Sequence, residues 1–255
     1  MAKRDCQWCG GTGWVVAQKE GISAAERCAC VAEARAGELE QRAQIPETYR
    51  DSSFDNFLKP QDNPIARKGL SDVMWAVKSF VRGYPANPKP GLLLAGPAGT
   101  GKTHLAVAAL RELIARGHEG IFFDYQNLLD CIRSGYNEAL GTSNREAYRA
   151  ALDTEILLLD DLGAHRATNW VEDTVTAIVT HRYNHRKPLI ATTNLADPDM
   201  GTALFDKSAH SAGHTALPTL EEQIGERARS RLFEMCLVVR MPGLPDYRIK
   251  HSVVR

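Results

Sequence analysis

Short apolar runs alternate with amphipathic segments through the middle of the chain. Between the runs, apolar residues recur at helical spacing, as from Leu105 to Ile114 and from Val171 to Val179. Continuous apolar runs that alternate with amphipathic helices predict an α/β fold with a central parallel sheet covered on both faces. The runs that we assign to buried strands are residues 91–95, 121–123, 156–159 and 189–193.

The beginning of the chain has a different pattern. Residues 1–30 show no sustained periodicity, and residues 31–44 predict a short helix that ends before Pro46. We therefore expect two domains, an N-terminal module with a linker helix at residues 1–44 and the alternating α/β domain at residues 45–255.

The segments that flank the alternating region carry weaker signals. The polar stretch 47–64 indicates a linker lying over the core, and residues 73–81 predict a helix before the first strand. Residues 201–218 are rich in Gly, His, Ser and Ala, which indicates a loop. One helix around residues 220–233 and a short apolar segment at 237–239 follow.

The composition is that of an ordinary globular protein. Hydrophobic residues make up 44% of the chain and charged residues 24%, and Lys+Arg equals Asp+Glu at 31 each. Because the formal net charge is zero, nucleic-acid binding would need a local basic patch. No apolar run reaches the length of a membrane span or of a signal peptide. We therefore expect a cytoplasmic protein with no membrane partner.

The stretch after the first predicted strand matches the phosphate-binding pattern G-x-x-x-x-G-K-[ST]. Its glycines allow backbone N–H groups to turn towards phosphate oxygens, and the helix that follows adds an anion site at its N-terminus. We expect Lys102 to contact the β- and γ-phosphates of ATP and the Thr103 hydroxyl to bind Mg²⁺. The residues assigned to the nucleotide are Gly96, Pro97, Ala98, Gly99, Thr100, Gly101, Lys102, Thr103 and His104.

Polar residues follow two of the later strands. Asp160 and Asp161 come directly after the third strand, and Asn194 follows the fourth. Because ligands of open α/β sheets bind at the carboxyl ends of strands, we expect Asp160 to complete the Mg²⁺ site. Asp161 either polarises the attacking water or caps the next segment. Asn194 either orients that water or contacts the γ-phosphate, although Asn is also common in turns.

Two arginines near the C-terminus lie four residues apart. Arg227 and Arg231 therefore share one face of the predicted helix. Such residues can stabilise charge on the nucleotide of a neighbouring subunit, which would require self-association. The alternative is a solvated basic stripe.

Four of the six cysteines fall within the first 30 residues. They form one C-x-x-C and one C-x-C pair, which together suit a tetrahedral Zn²⁺ site. A segment with so few apolar residues needs such a metal to fold, whereas the alternative is a set of reactive or incidental thiols. The remaining two, Cys131 and Cys236, lie in apolar contexts that predict core positions. The candidate zinc ligands are Cys6, Cys9, Cys28 and Cys30.

The order of these motifs resembles the AAA+ ATPases of the DnaC/DnaI helicase-loader group, which includes the IstB-type transposition ATPases. The resemblance covers roughly residues 45–250 and includes Ile45–Arg50, Ser53–Phe57, Gly225–Leu232 and Asp246–Arg248. It implies that Asn194 is sensor 1.

The resemblance also assigns the arginines. It implies that Arg231 is a trans-acting arginine finger with Arg227 beside it, and that Arg248 is sensor 2. Many AAA+ proteins carry Glu at the position of Asp161. The Asp161 side chain is one methylene shorter than that of Glu. We therefore expect an ATP hydrolase that is slow and acts as a switch.

Relatives in this group bind single-stranded DNA around the second and third strands, and the matching positions here are Tyr136, Thr168 and Trp170. The two aromatic rings either stack on bases or pack in the core, and both alternatives are open. Nearby arginines that can contact phosphates are Arg133, Arg145, Arg149 and Arg166.

Together these features favour an ATP-dependent loader of the replicative DNA helicase that also contacts single-stranded DNA. The zinc module would then recruit the helicase. The alternative with the same ATPase core is an IstB-type transposition helper that binds duplex DNA.

Overall fold

A computed structural model describes residues 2–19, 22–134, 143–200, 218–244 and 246–247. The N-terminal module contains an antiparallel hairpin that the sequence analysis missed. Apolar residues occupy both faces of its first strand, with Trp14 and Val16 exposed and Val15 packed against buried cysteines, so the pattern lacks the usual alternation. The elements of the module are β1 (Trp14–Lys19), β2 (Ile22–Arg27) and the helix α1 (Ala29–Arg42).

The rest of the described chain alternates helices and strands. Single turns of 3₁₀ helix occur at Glu47–Tyr49 and Pro198–Met200. None of the helices in the described ranges is both long and apolar enough to cross a membrane. The elements are α2 (Pro64–Gly83), β3 (Gly91–Ala95), α3 (Lys102–Ala115), β4 (Gly120–Asp124), α4 (Tyr125–Ser134), α5 (Ser143–Asp153), β5 (Ile156–Asp160), α6 (Asn169–Asn184), β6 (Leu189–Thr193), α7 (Leu220–Ile224), α8 (Glu226–Met235) and β7 (Cys236–Arg240).

The central sheet has five strands in the order β4-β5-β6-β3-β7, and every neighbouring pair is parallel. Strand β6 separates β3 from β5, so the carboxyl ends of all three strands meet at one edge of the sheet. Helices α2 and α3 bury apolar side chains against one face of the sheet, and α4 to α8 bury theirs against the other. The predicted parallel sheet with two covered faces is thus confirmed.

The structure departs from the sequence prediction at the last predicted helix and at Cys131. The single helix predicted around residues 220–233 is wrong, because Gly225, with a φ of +82°, divides it into α7 and α8. A Cβ at Gly225 would collide with the carboxylate of Glu172 on α6, so the break is built into the packing. The short apolar segment after it is the edge strand β7, paired with β3. Cys236 is buried as predicted, whereas Cys131 is exposed on α4.

Candidate functional site: a nucleotide cavity and a four-cysteine cluster

The phosphate loop connects β3 to α3. Gly99 and Gly101 have φ angles of +69° and +91°, in the left-handed region that favours glycine. Neither position has room for a side chain, because a Cβ at Gly101 would lie 2.5 Å from the Phe57 ring and one at Gly99 would meet the Asp246 carboxylate. Helix α3 begins at Lys102, so its free N–H groups face the loop. The Lys102 ammonium is buried and donates to the carbonyl oxygen of Pro97 at 2.7 Å.

Asp160, at the end of β5, lies beside two hydroxyl groups. Its Oδ1 accepts hydrogen bonds from Thr103 Oγ1 at 2.9 Å and from Thr192 Oγ1 at 2.6 Å. Burial raises the pKa of Asp160 above its ordinary value, and the charges of Asp161 and Asp124 raise it further. The hydrogen bonds from the two hydroxyl groups lower this pKa, but they do not cancel the rise. A cation here would relieve the repulsion. Carboxylate and hydroxyl oxygens are hard donors, so the set fits Mg²⁺.

Asp161 has a left-handed backbone, with a φ of +56°. Its N–H donates to Thr192 Oγ1 at 2.9 Å, and its carboxylate accepts from the Asn194 amide. Successive side chains of an extended strand point to opposite faces, but this turn of the backbone allows Asp160 and Asp161 to line the same cavity. The structure therefore brings together the acidic pair, Asn194 and the phosphate loop, as the sequence analysis expected.

Thr192 is a site residue that the sequence analysis passed over. It lies on β6, the strand between the phosphate-loop strand and the acidic strand, and it is buried. The apolar run of β6 did show a polar residue inside a buried strand, which was the available signal. A polar side chain is rarely buried in such a strand without a partner.

The phosphate loop and Asp160 form one side of a cavity of about 900 Å³, a size that suits a nucleotide. Residues of the segment 48–63 also line the cavity, within the stretch that the sequence predicted as a linker over the core. Tyr247 and Leu244 close the C-terminal side. Additional lining residues that sequence reasoning did not assign include Tyr49, Ser52, Asn56 and Phe57.

His104, assigned to the nucleotide from sequence, also lines the cavity. Its Nε2 lies 2.8 Å from the Ser53 carbonyl oxygen, and its ring meets the Phe57 ring edge-on with centroids 5.3 Å apart. His104 therefore ties the segment Ser53–Phe57 to α3.

The predicted arginine finger lies away from this cavity. Of the described residues that line the cavity, none is Arg227 or Arg231. Arg227 is exposed, and Arg231 is half-buried with its Nη1 donating to the Arg227 carbonyl oxygen at 3.2 Å. Both lie on α8. Arg248 lies outside the described residues.

Between these two arginines, Arg229 anchors α8 to the segment after β6. Its Nε donates to Asp197 Oδ2 at 2.5 Å, and its Nη2 contacts Asp199. Burial raises the pKa of Asp197, but the hydrogen bonds from Arg229 outweigh it and hold that pKa below its ordinary value. The sequence analysis missed Arg229 because its partners are distant in the sequence.

The residues proposed for DNA are only partly described. Tyr136 and the side chain of Arg145 lie outside the described residues. Thr168 caps α6, because its hydroxyl accepts from the Val171 N–H at 3.3 Å. Trp170 is half-buried against the core, and the Arg133 guanidinium lies 5.8 Å from its ring centroid. Arg149 and Arg166 are exposed.

The four N-terminal cysteines converge in space. All four sulfur atoms lie within 4.8 Å of one another, and the pairs Cys6–Cys28 and Cys9–Cys30 are 3.7 and 3.5 Å apart. Four thiolates around a tetrahedral zinc would be roughly 3.8 Å apart, so the set fits Zn²⁺.

Local hydrogen bonds favour a thiolate at Cys9. The Gly13 N–H donates to its sulfur at 3.3 Å. Burial raises the pKa of Cys9, but the Gly13 N–H and the neighbouring thiols outweigh it and lower that pKa to about 6. Burial raises the pKa of Cys30 to about 12, so a metal would displace its proton.

Comparisons with known proteins agree with the arrangement of the phosphate loop and the acidic pair. The family of IstB-like ATP binding proteins matches residues 78–223. The phage-like element PBSX protein XkdC of Bacillus subtilis (strain 168) is 25% identical over 221 residues, which cover 80% of each chain. The replicative helicase loader DnaC of Escherichia coli (strain K12) is 23% identical over 166 residues, 65% of this chain and 64% of the loader.

A solved structure of a helicase loader is also similar to this chain. The crystal structure of the DnaC helicase loader has 27% sequence identity and a TM-score of 0.60, and the match covers 77% of this chain and 99% of that one. The family match spans more than half of the chain and includes the phosphate loop and the acidic pair. The chain therefore belongs to the family of IstB-like ATP-binding proteins, within the AAA+ group that also contains the DnaC helicase loader.

Proposed function

We propose that this protein is an ATP-dependent loader of the replicative DNA helicase. The observation that carries the proposal is the similarity to the DnaC helicase loader, which extends over nearly the whole of that structure. The chain adds a four-cysteine cluster at its N-terminus, outside the region that the family match covers. A small module with exposed aromatic residues suits protein docking, so it would recruit the helicase while the ATPase domain controls release.

The proposed ATP site uses the residues around the cavity. Lys102 would exchange the Pro97 carbonyl for the β- and γ-phosphates, and Thr103 and Asp160 would hold Mg²⁺. The metal, when bound, neutralises charge that develops on the phosphates. Asp161 and Asn194 position the attacking water. Because the Asp161 carboxylate is short and is already held by Asn194, we propose slow hydrolysis suited to a switch.

Self-association completes this site. Arg231 lies on α8 and does not line the cavity of its own subunit, and it would act on the nucleotide of a neighbour with Arg227 beside it. Arg248 would read the nucleotide within its own subunit. We also propose the division into a zinc module at residues 1–44, held by Zn²⁺ on the four cysteines, and an ATPase domain at residues 45–255.

Contact with single-stranded DNA is part of the same proposal. Tyr136, Thr168 and Trp170 would lie along the DNA, with Arg133, Arg149 and Arg166 near its phosphates. The half-buried Trp170 has one face against the core and the Arg133 guanidinium nearby, so Arg133 would have to move for a base to stack there.

A second candidate is a transposition helper of the IstB type that binds duplex DNA. The family match favours it as directly as it favours a loader, because that match covers the shared ATPase core. Binding to the replicative helicase would distinguish a loader from a transposition helper.

The test mixes the full-length protein, ATP and Mg²⁺ with the replicative helicase of the same host and measures complex formation by size-exclusion chromatography with light scattering. Trp8 on the cysteine module is 86% exposed, and Trp75 on α2 is 67% exposed, so either can be changed to Ala without opening a core. We expect Trp8→Ala to weaken the complex and Trp75→Ala to leave it intact. Absence of any complex, with ATP-dependent binding to duplex DNA instead, would favour the transposition helper.

A further inference from the structure

Helix α1 joins the cysteine cluster to the ATPase domain. Cys28 is the residue before the helix, and Cys30 lies in its first turn. At the other end Ala43 is fully buried, and its carbonyl oxygen accepts from the Phe122 N–H of β4 at 2.7 Å. Leu39 packs against the same core. Both ends of α1 are therefore fixed, one to the cluster and one to the sheet.

Arg111 on α3 contacts α1 and the wall of the nucleotide cavity at the same time. Its Nε donates to Glu40 Oε1 at 2.6 Å, and its Nη1 donates to the Ser52 carbonyl oxygen at 2.9 Å. The side chains of Arg111 and Glu40 are 28% and 39% exposed. The planar guanidinium can serve both acceptors at once, which a lysine ammonium on a flexible stem does less well.

Ser52 begins the segment that we call the 52–57 loop, which forms part of the cavity wall. Ser52, Asn56 and Phe57 of this loop line the cavity. Within the loop, the Asn56 side chain accepts from the Ser53 N–H at 2.9 Å. The loop also contacts α3, because His104 Nε2 lies 2.8 Å from the Ser53 carbonyl oxygen. Because Ser52 itself lines the cavity, a displacement at Ser52 would change the cavity wall.

We propose that Arg111 is a positioning residue that couples the cysteine module to nucleotide affinity through Glu40 and Ser52. When the cluster holds its metal, α1 is ordered from its first turn and Glu40 holds Arg111 against the 52–57 loop. Loss of the metal frees the first turn of α1, so the helix is held at its sheet end alone and Glu40 positions Arg111 less firmly against the 52–57 loop. The inference rests on the proposed ATP and zinc sites, and it adds regulation to them. Because coupling between two sites is reciprocal, nucleotide strengthens metal retention by the same factor.

The chain offers a matched control for this contact. Glu112 of α3 forms an ion pair at 3.0 Å with Arg116, the residue that follows this helix, and the Glu112 side chain is 41% exposed. Changing Glu40 or Glu112 to Ala therefore removes the same chemical group from an ion pair with an arginine. Only the Glu40 change separates α1 from the 52–57 loop.

The experiment measures the affinity of a fluorescent ATP analogue in the full-length protein, with Mg²⁺ in excess, before and after a zinc-selective chelator. In the wild type and in Glu112→Ala, we expect chelation to weaken nucleotide binding roughly tenfold, within the usual range of coupling between sites. In Glu40→Ala and Arg111→Lys, nucleotide binding is already weaker with metal present, and chelation adds little.

A second measurement uses the reciprocal direction, with zinc affinity determined by competition against a chromophoric chelator, with and without saturating nucleotide. The nucleotide should raise zinc affinity by the same factor in the wild type and leave it unchanged in Glu40→Ala. Equal effects of chelation in wild type and Glu40→Ala, or no effect in the wild type, would overturn the proposal. Helicase binding enters neither measurement, so failure of the loader function and failure of this coupling remain distinguishable.

Discussion

The Thr192 hydroxyl joins the two acidic residues of the nucleotide site. It donates to Asp160 Oδ1 at 2.6 Å and accepts from the N–H of Asp161 at 2.9 Å. One buried hydroxyl on β6 thus sets the orientation of the carboxylate proposed for Mg²⁺ and stabilises the left-handed backbone of the next residue. Such residues behind a metal ligand fix its orientation and tune its basicity.

Thr192→Val keeps the shape of the side chain and removes the hydroxyl. We expect Mg²⁺ affinity or ATP turnover to fall roughly 10- to 100-fold, as for other residues that orient metal ligands. Nucleotide binding in the absence of Mg²⁺ should change little. The measurement is the Mg²⁺ dependence of ATP hydrolysis together with nucleotide affinity in EDTA.

The neighbouring Thr193→Val is the matched control for that change. The Thr193 hydroxyl donates to the Leu162 carbonyl oxygen at 2.9 Å, whereas the Thr192 hydroxyl donates to Asp160. Thr193→Val should lower the free energy of unfolding without changing the Mg²⁺ dependence. Identical Mg²⁺ dependence of wild type and Thr192→Val would show that Thr192 does not orient Asp160.

Arg231 is predicted to act on the site of another subunit. Arg231→Ala should bind nucleotide normally but hydrolyse it at least about tenfold more slowly, because trans-acting arginines stabilise charge in the transition state. Mixing Arg231→Ala, which is slow, with Lys102→Ala, which does not bind nucleotide, should give more turnover than the sum of the two variants alone. In the mixed assembly one interface has both an intact phosphate site and an intact arginine. Full activity of Arg231→Ala by itself would contradict this role.

The cysteine cluster is predicted to hold one zinc ion per chain, measured by elemental analysis of the purified protein. Cys9→Ser removes one of the four ligands and should abolish most of the zinc content. Cys131→Ser changes an exposed cysteine outside the cluster and should leave zinc content unchanged. Because thiols must lose protons to bind metal, zinc affinity should fall as pH is lowered. Equal zinc content in both variants would place the metal elsewhere.

The ion pair between Arg229 and Asp197 is predicted to stabilise the fold at neutral pH. The Asp197 side chain is fully buried and that of Arg229 is 15% exposed. Arg229→Ala leaves this carboxylate without its cation, so the free energy of unfolding should fall by about 3 kcal/mol. The pKa of Asp197 is depressed in the folded state, so the stabilisation is present above its unfolded pKa of about 4 and is lost as pH falls through the lower folded value.

Urea unfolding at several pH values measures how the stabilisation by the Arg229–Asp197 ion pair depends on pH. The difference between wild type and Arg229→Ala should be large at pH 7 and should shrink in acid below about pH 4. Lys89→Ala is the control, because it removes an exposed cation whose ammonium donates to the Phe233 carbonyl oxygen, and it should show little pH dependence. A difference between wild type and Arg229→Ala that is independent of pH would mean that the carboxylate is not the cause.

The sequence predicted the parallel sheet and the phosphate loop because these depend on local patterns. Strands such as Ile156–Asp160 are buried on both sides and therefore read as continuous apolar runs. The carboxyl ends of parallel strands meet at one edge, so the sequence pattern alone predicted that Asp160 lies near Thr103.

The parts that the sequence did not predict depend on contacts between distant residues. Arg229 pairs with Asp197 across 32 positions, and Arg111 reaches Ser52 across 59. Neither partner is marked by periodicity or by a motif. The hairpin in the cysteine module was not predicted for a different reason. The stability of a small module with little core depends on its cysteine cluster more than on a buried apolar face.

The most direct test of helicase loading measures how much of the host's replicative helicase is retained on closed-circular single-stranded DNA. We expect wild-type protein with ATP to increase this amount, Lys102→Ala not to increase it, and Trp75→Ala to behave as wild type. If Lys102→Ala increases the retained helicase as much as wild type does, loading does not depend on the nucleotide site described above. No increase with the wild-type protein would contradict the loader function itself.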